Sequence, residues 1–344
     1  MMRLPKFRYV GPKTIEEAAH ILQSEGPDAM PLAGGTDLFP NMKRRQQTPK
    51  VVVGLRGIES LFRTKVDRSG IQLGPMLSLT DVVDNHGVRE AYGALYKSAV
   101  QVSTPQLRNM GTLGGNLCLD TRCNYYDQGY EWRKAIDFCM KKDGKICWVA
   151  PSSPRCWAVS STDTAPALIT LRAKVTLVSR QGERTIDLDQ FYADDGMSYL
   201  TRKPGELLAN VSIPDSSGWK STYWKLRRRG SFDFPVLSVA AAVKVSKGIV
   251  EEARIVLGSV ASRPLWQKEA GEILRGKKLT DDAIAAVSES CFKPSKPMDN
   301  TDFELAWRKK MVRFFVSGAF KELRGDDIRD IKNRSMRTEL PTHA

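Results

Sequence analysis

Four cysteines lie close together in the middle of the chain. Cys123, Cys139, Cys147 and Cys156 have the spacing C-x15-C-x7-C-x8-C, in a sequence with only six cysteines among 344 residues. Clustered thiolates suit a soft metal site, either an iron-sulfur cluster or zinc. The spacing matches neither the tight run of bacterial ferredoxins nor the paired C-x2-C units of structural zinc. Three interpretations therefore stay open: a four-iron cluster, zinc, or unligated thiols.

Aromatic residues accompany these cysteines. Seven fall in the same stretch, although aromatic residues make up only 8% of the chain: Tyr125, Tyr126, Tyr130, Trp132, Phe138, Trp148 and Trp157. Apolar shielding restricts water and tunes a redox centre, and it would equally give a small lobe its own core. Cys118 and Cys291 lie outside the group and are predicted to be structural thiols.

Two glycine-rich turns could bind phosphate. Residues 33–37 read Ala-Gly-Gly-Thr-Asp, between a predicted strand and a predicted helix, and the turn at residues 104–116 ends in Thr-Leu-Gly-Gly-Asn. Glycine lets the backbone approach a ligand closely, and consecutive N–H groups form an anion-binding concavity. Two such turns favour one ligand with two phosphates, such as a dinucleotide. Neither matches the G-x-G-x-x-G fingerprint, and the strand-helix alternation of a doubly wound sheet is absent, which argues against a Rossmann domain.

The composition is that of an ordinary globular protein, with 41% hydrophobic and 27% charged residues. The length allows two or three domains. The N-terminus lacks the apolar region of a signal peptide, and no long apolar run occurs, so we expect a cytoplasmic protein that does not enter a membrane. In a reducing compartment, clustered cysteines favour metal binding over disulfides.

The net charge of +14 raises the possibility of nucleic-acid binding. No zinc-finger, helix-turn-helix or RNA-binding signature accompanies it, and the basic residues are scattered. A solvated surface, or docking to an acidic partner or an anionic substrate, is the favoured use of this charge. A zinc-stabilised nucleic-acid-binding protein remains an alternative, supported only by the charge and the cysteines.

The secondary-structure pattern predicts an α+β protein. A helix begins after Thr14, a hairpin joins residues 174–178 to 184–188, and three antiparallel strands occupy residues 223–227, 236–245 and 253–260. Helices are then predicted over residues 264–274, 281–292 and 302–323. A run of strands followed by a run of helices indicates a separate C-terminal domain.

The glycine turns and Asp163 resemble the FAD-binding medium subunits of molybdenum hydroxylases, the group of xanthine dehydrogenase and carbon monoxide dehydrogenase. The resemblance covers residues 5–323 and includes the Leu-Gly-Ser-Val-Ala of residues 257–261. It implies a two-part FAD-binding domain, residues 1–60 and 61–216. A C-terminal domain of three antiparallel strands and a helix bundle, residues 217–324, would follow, and then a polar tail, residues 325–344, that is mobile or draped on a partner.

Residues 121–160 interrupt this family pattern. They resemble the corresponding insertion in beta subunits of 4-hydroxybenzoyl-CoA reductases, where four matching cysteines hold a [4Fe-4S] cluster. This resemblance implies electron transfer from a low-potential donor, ferredoxin, through the cluster and FAD to partner subunits that reductively dehydroxylate an aromatic acyl-CoA. The partners would be a small [2Fe-2S] subunit and a large molybdopterin subunit, in a heterotrimer that can dimerise. The alternative is an aldehyde- or purine-type hydroxylase, with electrons flowing outward.

The resemblance also implies which residues serve the cofactors. FAD is expected to contact Ala33, Gly34, Gly35, Thr36, Asp37, Thr104, Asn109, Thr112, Gly114, Gly115, Asn116, Asp163 and Lys225. Cys123, Cys139, Cys147 and Cys156 are the expected metal ligands. A simpler interpretation of Lys225 is a surface ion pair with Asp233. No residue of this subunit is expected to act in the substrate chemistry, since the redox chemistry belongs to the cofactors.

Overall fold

A small parallel sheet carries the first glycine turn. The computed structural model describes residues 3–331. Its first elements are β1 (Arg8–Val10), α1 (Ile15–Glu25), β2 (Ala29–Leu32), α2 (Leu38–Lys43) and β3 (Val51–Gly54). The strand order is β1-β3-β2, with all pairs parallel. The Thr14 hydroxyl accepts the N–H of Glu17, which confirms the predicted start of α1. The turn at residues 33–37 therefore joins β2 to α2.

A second, antiparallel sheet follows. Its strands are β4 (Thr64–Asp67), β5 (Gly70–Leu73), β6 (Lys174–Ser179), β7 (Gly182–Asp187) and β8 (Leu207–Pro214), in the order β4-β5-β8-β6-β7. The predicted hairpin is confirmed as β6 and β7. Between β5 and β6 lie α3 (Leu79–Asp84), α4 (His86–Ala91), α5 (Gly93–Val100), α6 (Pro105–Arg108), α7 (Leu113–Leu117), α8 (Tyr130–Ala135) and α9 (Thr164–Thr170). A shared core of Leu73, Leu95, Leu113 and Leu168 packs α5, α7 and α9 against the sheet.

Residues 121–160 form a lobe with little regular structure besides α8. Its two ends are joined by a pair of backbone hydrogen bonds, from the N–H of Arg122 to the carbonyl of Val159 at 2.8 Å and the reverse at 2.7 Å. The side chains of Tyr126 and Ala158 pack with three of the cysteines in a small separate core. We call this segment the cysteine lobe. The paired backbone of Arg122 and Val159, which we call the neck, connects the lobe to the rest of the protein.

The C-terminal sheet has four strands, so the prediction of three was wrong by one. They are β9 (Trp219–Leu226), β10 (Leu237–Ser246), β11 (Ile249–Gly258) and β12 (Leu265–Trp266), in the order β12-β11-β10-β9. The residue before Pro264 is restricted to extended conformations, and the edge of β11 offers unpaired backbone groups. Leu265 and Trp266 pair with this edge, so the predicted helix at 264–274 begins only at Lys268.

Three helices cover this sheet: α10 (Lys268–Leu274), α11 (Asp281–Phe292) and α12 (Leu305–Arg324). The predicted start of α12 at residue 302 was wrong, because the Glu304 carboxylate caps the helix by accepting the N–H groups of Ala306 and Trp307. None of the helices within residues 3–331 is long and apolar enough to cross a bilayer. Most of the predicted tail, residues 332–344, lies outside the described residues.

Candidate functional site

The two glycine turns touch through their backbones. A Cβ on Gly34 would lie 1.9 Å from the carbonyl oxygen of Met110, and one on Gly115 would lie 3.8 Å from the Cβ of Ala33. A Cβ on Gly111 would lie 3.5 Å from the Thr36 hydroxyl. Only glycine at position 34 permits this approach. The structure thus brings together the two turns that the sequence predicts to form one phosphate-binding cradle.

Polar side chains of the second turn hold its shape. The Thr104 hydroxyl accepts the N–H of Leu107 at 3.3 Å, and the Thr112 hydroxyl accepts the N–H of Gly115 at 3.0 Å. Asn109 accepts from the Thr80 hydroxyl at 2.6 Å. The Thr104 and Thr112 contacts cap the starts of α6 and α7, and the Asn109 contact ties the end of α6 to Thr80 on α3. The predicted ligand roles of Thr104, Asn109 and Thr112 stay predictions.

The end of the second turn is packed against neighbouring segments through Asn116 and Gly114. The Asn116 side-chain oxygen accepts from the hydroxyls of Thr162 and Thr164, at 2.8 and 2.7 Å, and from the N–H of Thr164 at 3.0 Å. A Cβ on Gly114 would lie 2.6 Å from the side chain of Pro75. Asn116 therefore fastens the end of the turn to the start of α9, next to Asp163.

Lys225 and Asp163 form a buried ion pair. The Lys225 Nζ lies 3.0 Å from each carboxylate oxygen, and the two side chains are 0% and 3% exposed. The Tyr223 hydroxyl donates to the same carboxylate at 2.8 Å. Burial raises the pKa of Asp163 and lowers the pKa of Lys225, while the pairing opposes both shifts.

The interpretation of Lys225 as the surface partner of Asp233 is wrong. Asp233 instead pairs with the exposed Arg229 at 2.5 Å. The signal that could have indicated the buried pair is the strand period: Tyr223 and Lys225 lie two residues apart on β9, so both point to the same face of the sheet, and both reach Asp163.

Arg122 joins the first glycine turn to the cysteine lobe, which sequence reasoning did not detect. Its guanidinium forms an ion pair with Asp37 and lies 3.3 Å from Asp127. The ring of Phe234 lies over it at 4.5 Å. Asp37 also accepts from the side chain of Asn41 at 2.9 Å. Asp37, predicted to contact FAD, is thus engaged with the residue that directly precedes Cys123.

The four clustered cysteines line one pocket. Its wall consists of Cys123, Tyr125, Tyr126, Cys139, Met140, Lys141, Cys147, Trp148, Val149, Cys156 and Ala158. The four cysteines are only 4–7% exposed. Within residues 3–331, no three His, Cys, Asp or Glu side chains are grouped closely enough to hold a single metal ion.

The chemistry of the pocket suits a cluster ligated by thiolates. Burial raises the pKa of Cys123 to about 12 and that of Cys156 to about 11, so these two thiols are protonated at neutral pH when no metal is bound. Iron or zinc would displace these protons, because thiolate is the ligand form. The N–H of Ala158 donates to the Cys156 sulfur at 3.4 Å. Four cysteines, apolar walls and an N–H donor to sulfur fit a [4Fe-4S] cluster. The ligand assignment stays a prediction.

Lys141 is the second residue that sequence reasoning missed. Among the described residues that line the pocket, it is the only one with a charged side chain. Burial raises the pKa of Cys156, and the positive charge of Lys141 lowers that pKa and so offsets part of the rise. The backbone at Gly196 lies close to Cys156, because a Cβ there would lie 2.8 Å from the Cys156 sulfur. Thiols and a buried cation therefore share one enclosed site.

Two family models match the chain. Residues 5–216 match the FAD binding domain in molybdopterin dehydrogenase, and residues 221–323 match the CO dehydrogenase flavoprotein C-terminal domain. The chain is 32% identical to the aldehyde oxidoreductase FAD-binding subunit PaoB of Escherichia coli K12, over 91% of this chain and 98% of that one. It is 28% identical to the carbon monoxide dehydrogenase medium chain of Afipia carboxidovorans, over 84% and 88%.

The fold of the chain also matches solved structures of CO dehydrogenase. Reconstituted CO dehydrogenase from Oligotropha carboxidovorans superposes with a TM-score of 0.78 at 26% identity, covering 94% of this chain and 99% of that one. The family models describe a flavoprotein over most of the chain, which argues against the alternative of a zinc-stabilised nucleic-acid-binding protein. Together with the contact between the two glycine turns, these matches show that the chain belongs to the FAD-binding medium subunits of the molybdenum hydroxylase family.

Proposed function

We propose that this subunit binds the FAD pyrophosphate between its two glycine turns and carries electrons within a molybdenum hydroxylase complex. The observation that carries the proposal is the backbone contact of Gly34 with Met110, which brings both turns to one place. The N–H groups of residues 34–36 would face the phosphates, as in other anion-binding backbone concavities. Those of Leu113, Gly114 and Gly115 donate to the carbonyls of Leu77 and Pro75 and to the Thr112 hydroxyl, so they hold the second turn in place beside the first. The ion pair of Lys225 and Asp163 would support the cradle indirectly, because Thr164, next to Asp163, donates to Asn116 at the end of the second turn.

We further propose that the cysteine lobe holds a [4Fe-4S] cluster through Cys123, Cys139, Cys147 and Cys156. The shared, mostly apolar pocket supports this assignment. When bound, FAD exchanges one or two electrons and the cluster exchanges one. The chain's own task is to hold both groups, to exclude water and to set their electrostatic surroundings.

One experiment tests both assignments on protein purified without oxygen. Flavin, iron, labile sulfide and zinc are measured in the wild type, Gly34→Ala and Cys139→Ser. Gly34→Ala is expected to lose flavin and keep iron, since a methyl group at position 34 collides with the Met110 carbonyl. Cys139→Ser is expected to lose iron and sulfide and keep flavin.

Matched controls exist for both variants. Gly129 has no atom within 4 Å of an added Cβ and a φ of −62°, so Gly129→Ala should retain flavin. Cys118 lies outside the pocket lining, so Cys118→Ser should retain iron. Normal flavin content in Gly34→Ala would contradict the cradle. Zinc without labile sulfide would contradict the cluster.

The reaction of the complex is proposed from the relatives. Several are named for oxidations, among them the aldehyde oxidoreductase subunit and the glyceraldehyde dehydrogenase medium chain of Sulfolobus acidocaldarius. Their names support an oxidation as the reaction of the complex. In the complex that we propose, a large molybdopterin subunit oxidises a substrate, a small [2Fe-2S] subunit relays the electrons, and this subunit delivers them to an external acceptor. The complex would be a heterotrimer.

A second candidate is the 4-hydroxybenzoyl-CoA reductase type, in which ferredoxin supplies electrons inward for reductive dehydroxylation. The specific observation in its favour is the four-cysteine pocket within an inserted lobe. The purified complex distinguishes the two candidates. Oxidation of aldehydes or purines with a dye acceptor supports the first, whereas ferredoxin-dependent reduction of 4-hydroxybenzoyl-CoA supports the second.

A further inference from the structure

We propose that the buried ion pair of Lys141 and Asp120 sets the reduction potential of the centre in the cysteine lobe, with Lys141 raising it and Asp120 lowering it. The inference rests on the proposed [4Fe-4S] cluster. It assigns to each of these two residues an electrostatic role beyond holding the lobe together.

Lys141 is fixed in one position. Its Nζ donates to the Asp120 carboxylate at 2.7 Å, to the Thr121 hydroxyl at 2.7 Å and to the Gly196 carbonyl at 2.6 Å. An ammonium group has three donors, so all of them are used. The side chain is only 6% exposed. A buried cation therefore has a defined place in the pocket wall, where water screens it little.

Asp120 lies outside the pocket lining and is held by Tyr126, which lines the pocket, and by Gln47, which does not. Asp120 is absent from the described lining residues, and its second oxygen accepts from the Tyr126 hydroxyl at 2.9 Å and from the Gln47 side chain at 3.3 Å. The rings of Tyr126 and Tyr199 lie 4.8 and 5.4 Å from the Lys141 Nζ. The pair is thus oriented, with its cationic end towards the cysteines and its carboxylate further away.

This orientation decides the sign of the effect. Reduction adds one negative charge to the centre, and a nearby buried cation stabilises the reduced form more than the oxidised form. The nearer charge has the larger effect, since the interaction falls with distance. Removal of Lys141 also leaves the Asp120 carboxylate unpaired, which disfavours reduction further. Removal of the Asp120 charge leaves the ammonium unopposed and favours reduction.

Redox titration of the full chain, followed by EPR of the reduced centre, tests the inference. Lys141→Met is expected to shift the potential to more negative values and Asp120→Asn to more positive values, while Lys141→Arg restores most of the wild-type value. Lys142→Met is the matched control, because Lys142 is adjacent in sequence, pairs with Asp143 and does not line the pocket. A merely structural pair would not give shifts of opposite sign.

Iron and sulfide content are measured first in every variant. A wild type without a cluster overturns the proposed cofactor, whereas a wild type with a cluster allows the ion pair to be judged separately. Unchanged potentials in both charge variants, or shifts of the same sign, overturn the role of Lys141 and Asp120. If Lys141→Met does not assemble the centre, Asp120→Asn decides: a positive shift supports the inference and any other result overturns it.

Discussion

Replacing Lys225 by methionine should strongly destabilise the protein at neutral pH. The substitution keeps an unbranched side chain on β9 but leaves the Asp163 carboxylate, 3% exposed, with the Tyr223 hydroxyl as its remaining described donor. Removing one member of a buried ion pair typically costs about 3–5 kcal/mol, because the other charge stays buried without compensation. We therefore expect a loss of about 3–5 kcal/mol in the free energy of unfolding.

The loss should depend on pH. Burial already raises the pKa of Asp163, and without the lysine nothing as strong opposes that shift. Between the unfolded-state pKa of about 3.9 and the raised folded-state value, the native protein binds more protons than the unfolded chain. Lowering the pH through this window therefore favours the native state. The deficit of Lys225→Met should be largest near neutral pH and should shrink as the medium becomes acidic.

Urea unfolding followed by circular dichroism at several pH values measures both effects. Asp163→Asn combined with Lys225→Met should be less unstable at neutral pH than Lys225→Met alone, since no buried charge is left. Arg229→Met, which removes the exposed partner of Asp233, should change little. A pH-independent loss, or a double variant no more stable than the single one, would refute the reasoning.

Two further predictions concern arginines. Arg122→Met removes the ion pair between Asp37 and the cysteine lobe, so flavin affinity and iron content should both fall, whereas Arg122→Lys should retain part of each. Flavin fluorescence titration and an iron assay measure these effects. Unchanged flavin affinity in Arg122→Met would contradict the prediction. Arg308→Met leaves the buried carbonyls of Val236, Met298 and Ser259 without their guanidinium donor and should cost at least about 2 kcal/mol in urea unfolding, with flavin content preserved.

Local signals in the sequence predicted most of the elements that form the site. The glycine turns, the cap at Thr14 and the hairpin of β6 and β7 all depend on residues close together in the chain, and the structure contains them. Strand β12 was missed because it forms only where the edge of β11 is available. A two-residue strand has no period of its own from which it could be predicted.

The charged pairs of the site could not be predicted in the same way. The partners are 21 residues apart for Lys141 and Asp120, 62 for Lys225 and Asp163, and 85 for Arg122 and Asp37. Composition rules place charged side chains on the surface, so the simpler interpretation of Lys225, beside its predicted contact with FAD, pairs it with the nearby Asp233. Only the folded chain shows that these side chains meet, two of the pairs in its interior and the third between the first glycine turn and the cysteine lobe.

Stability alone does not explain why such pairs are present, because apolar residues of similar volume often serve a protein equally well. Each pair instead lies where the position of a charge or a segment matters. Asp163, the partner of Lys225, precedes Thr164, which donates to Asn116 at the end of the second glycine turn. Arg122 joins the first turn to the neck of the cysteine lobe, and Lys141 lines the thiol pocket. Arg122 acts on position, so its loss should affect flavin and iron together. Lys141 acts through its charge, so its loss should change the potential of the centre while flavin binding stays intact.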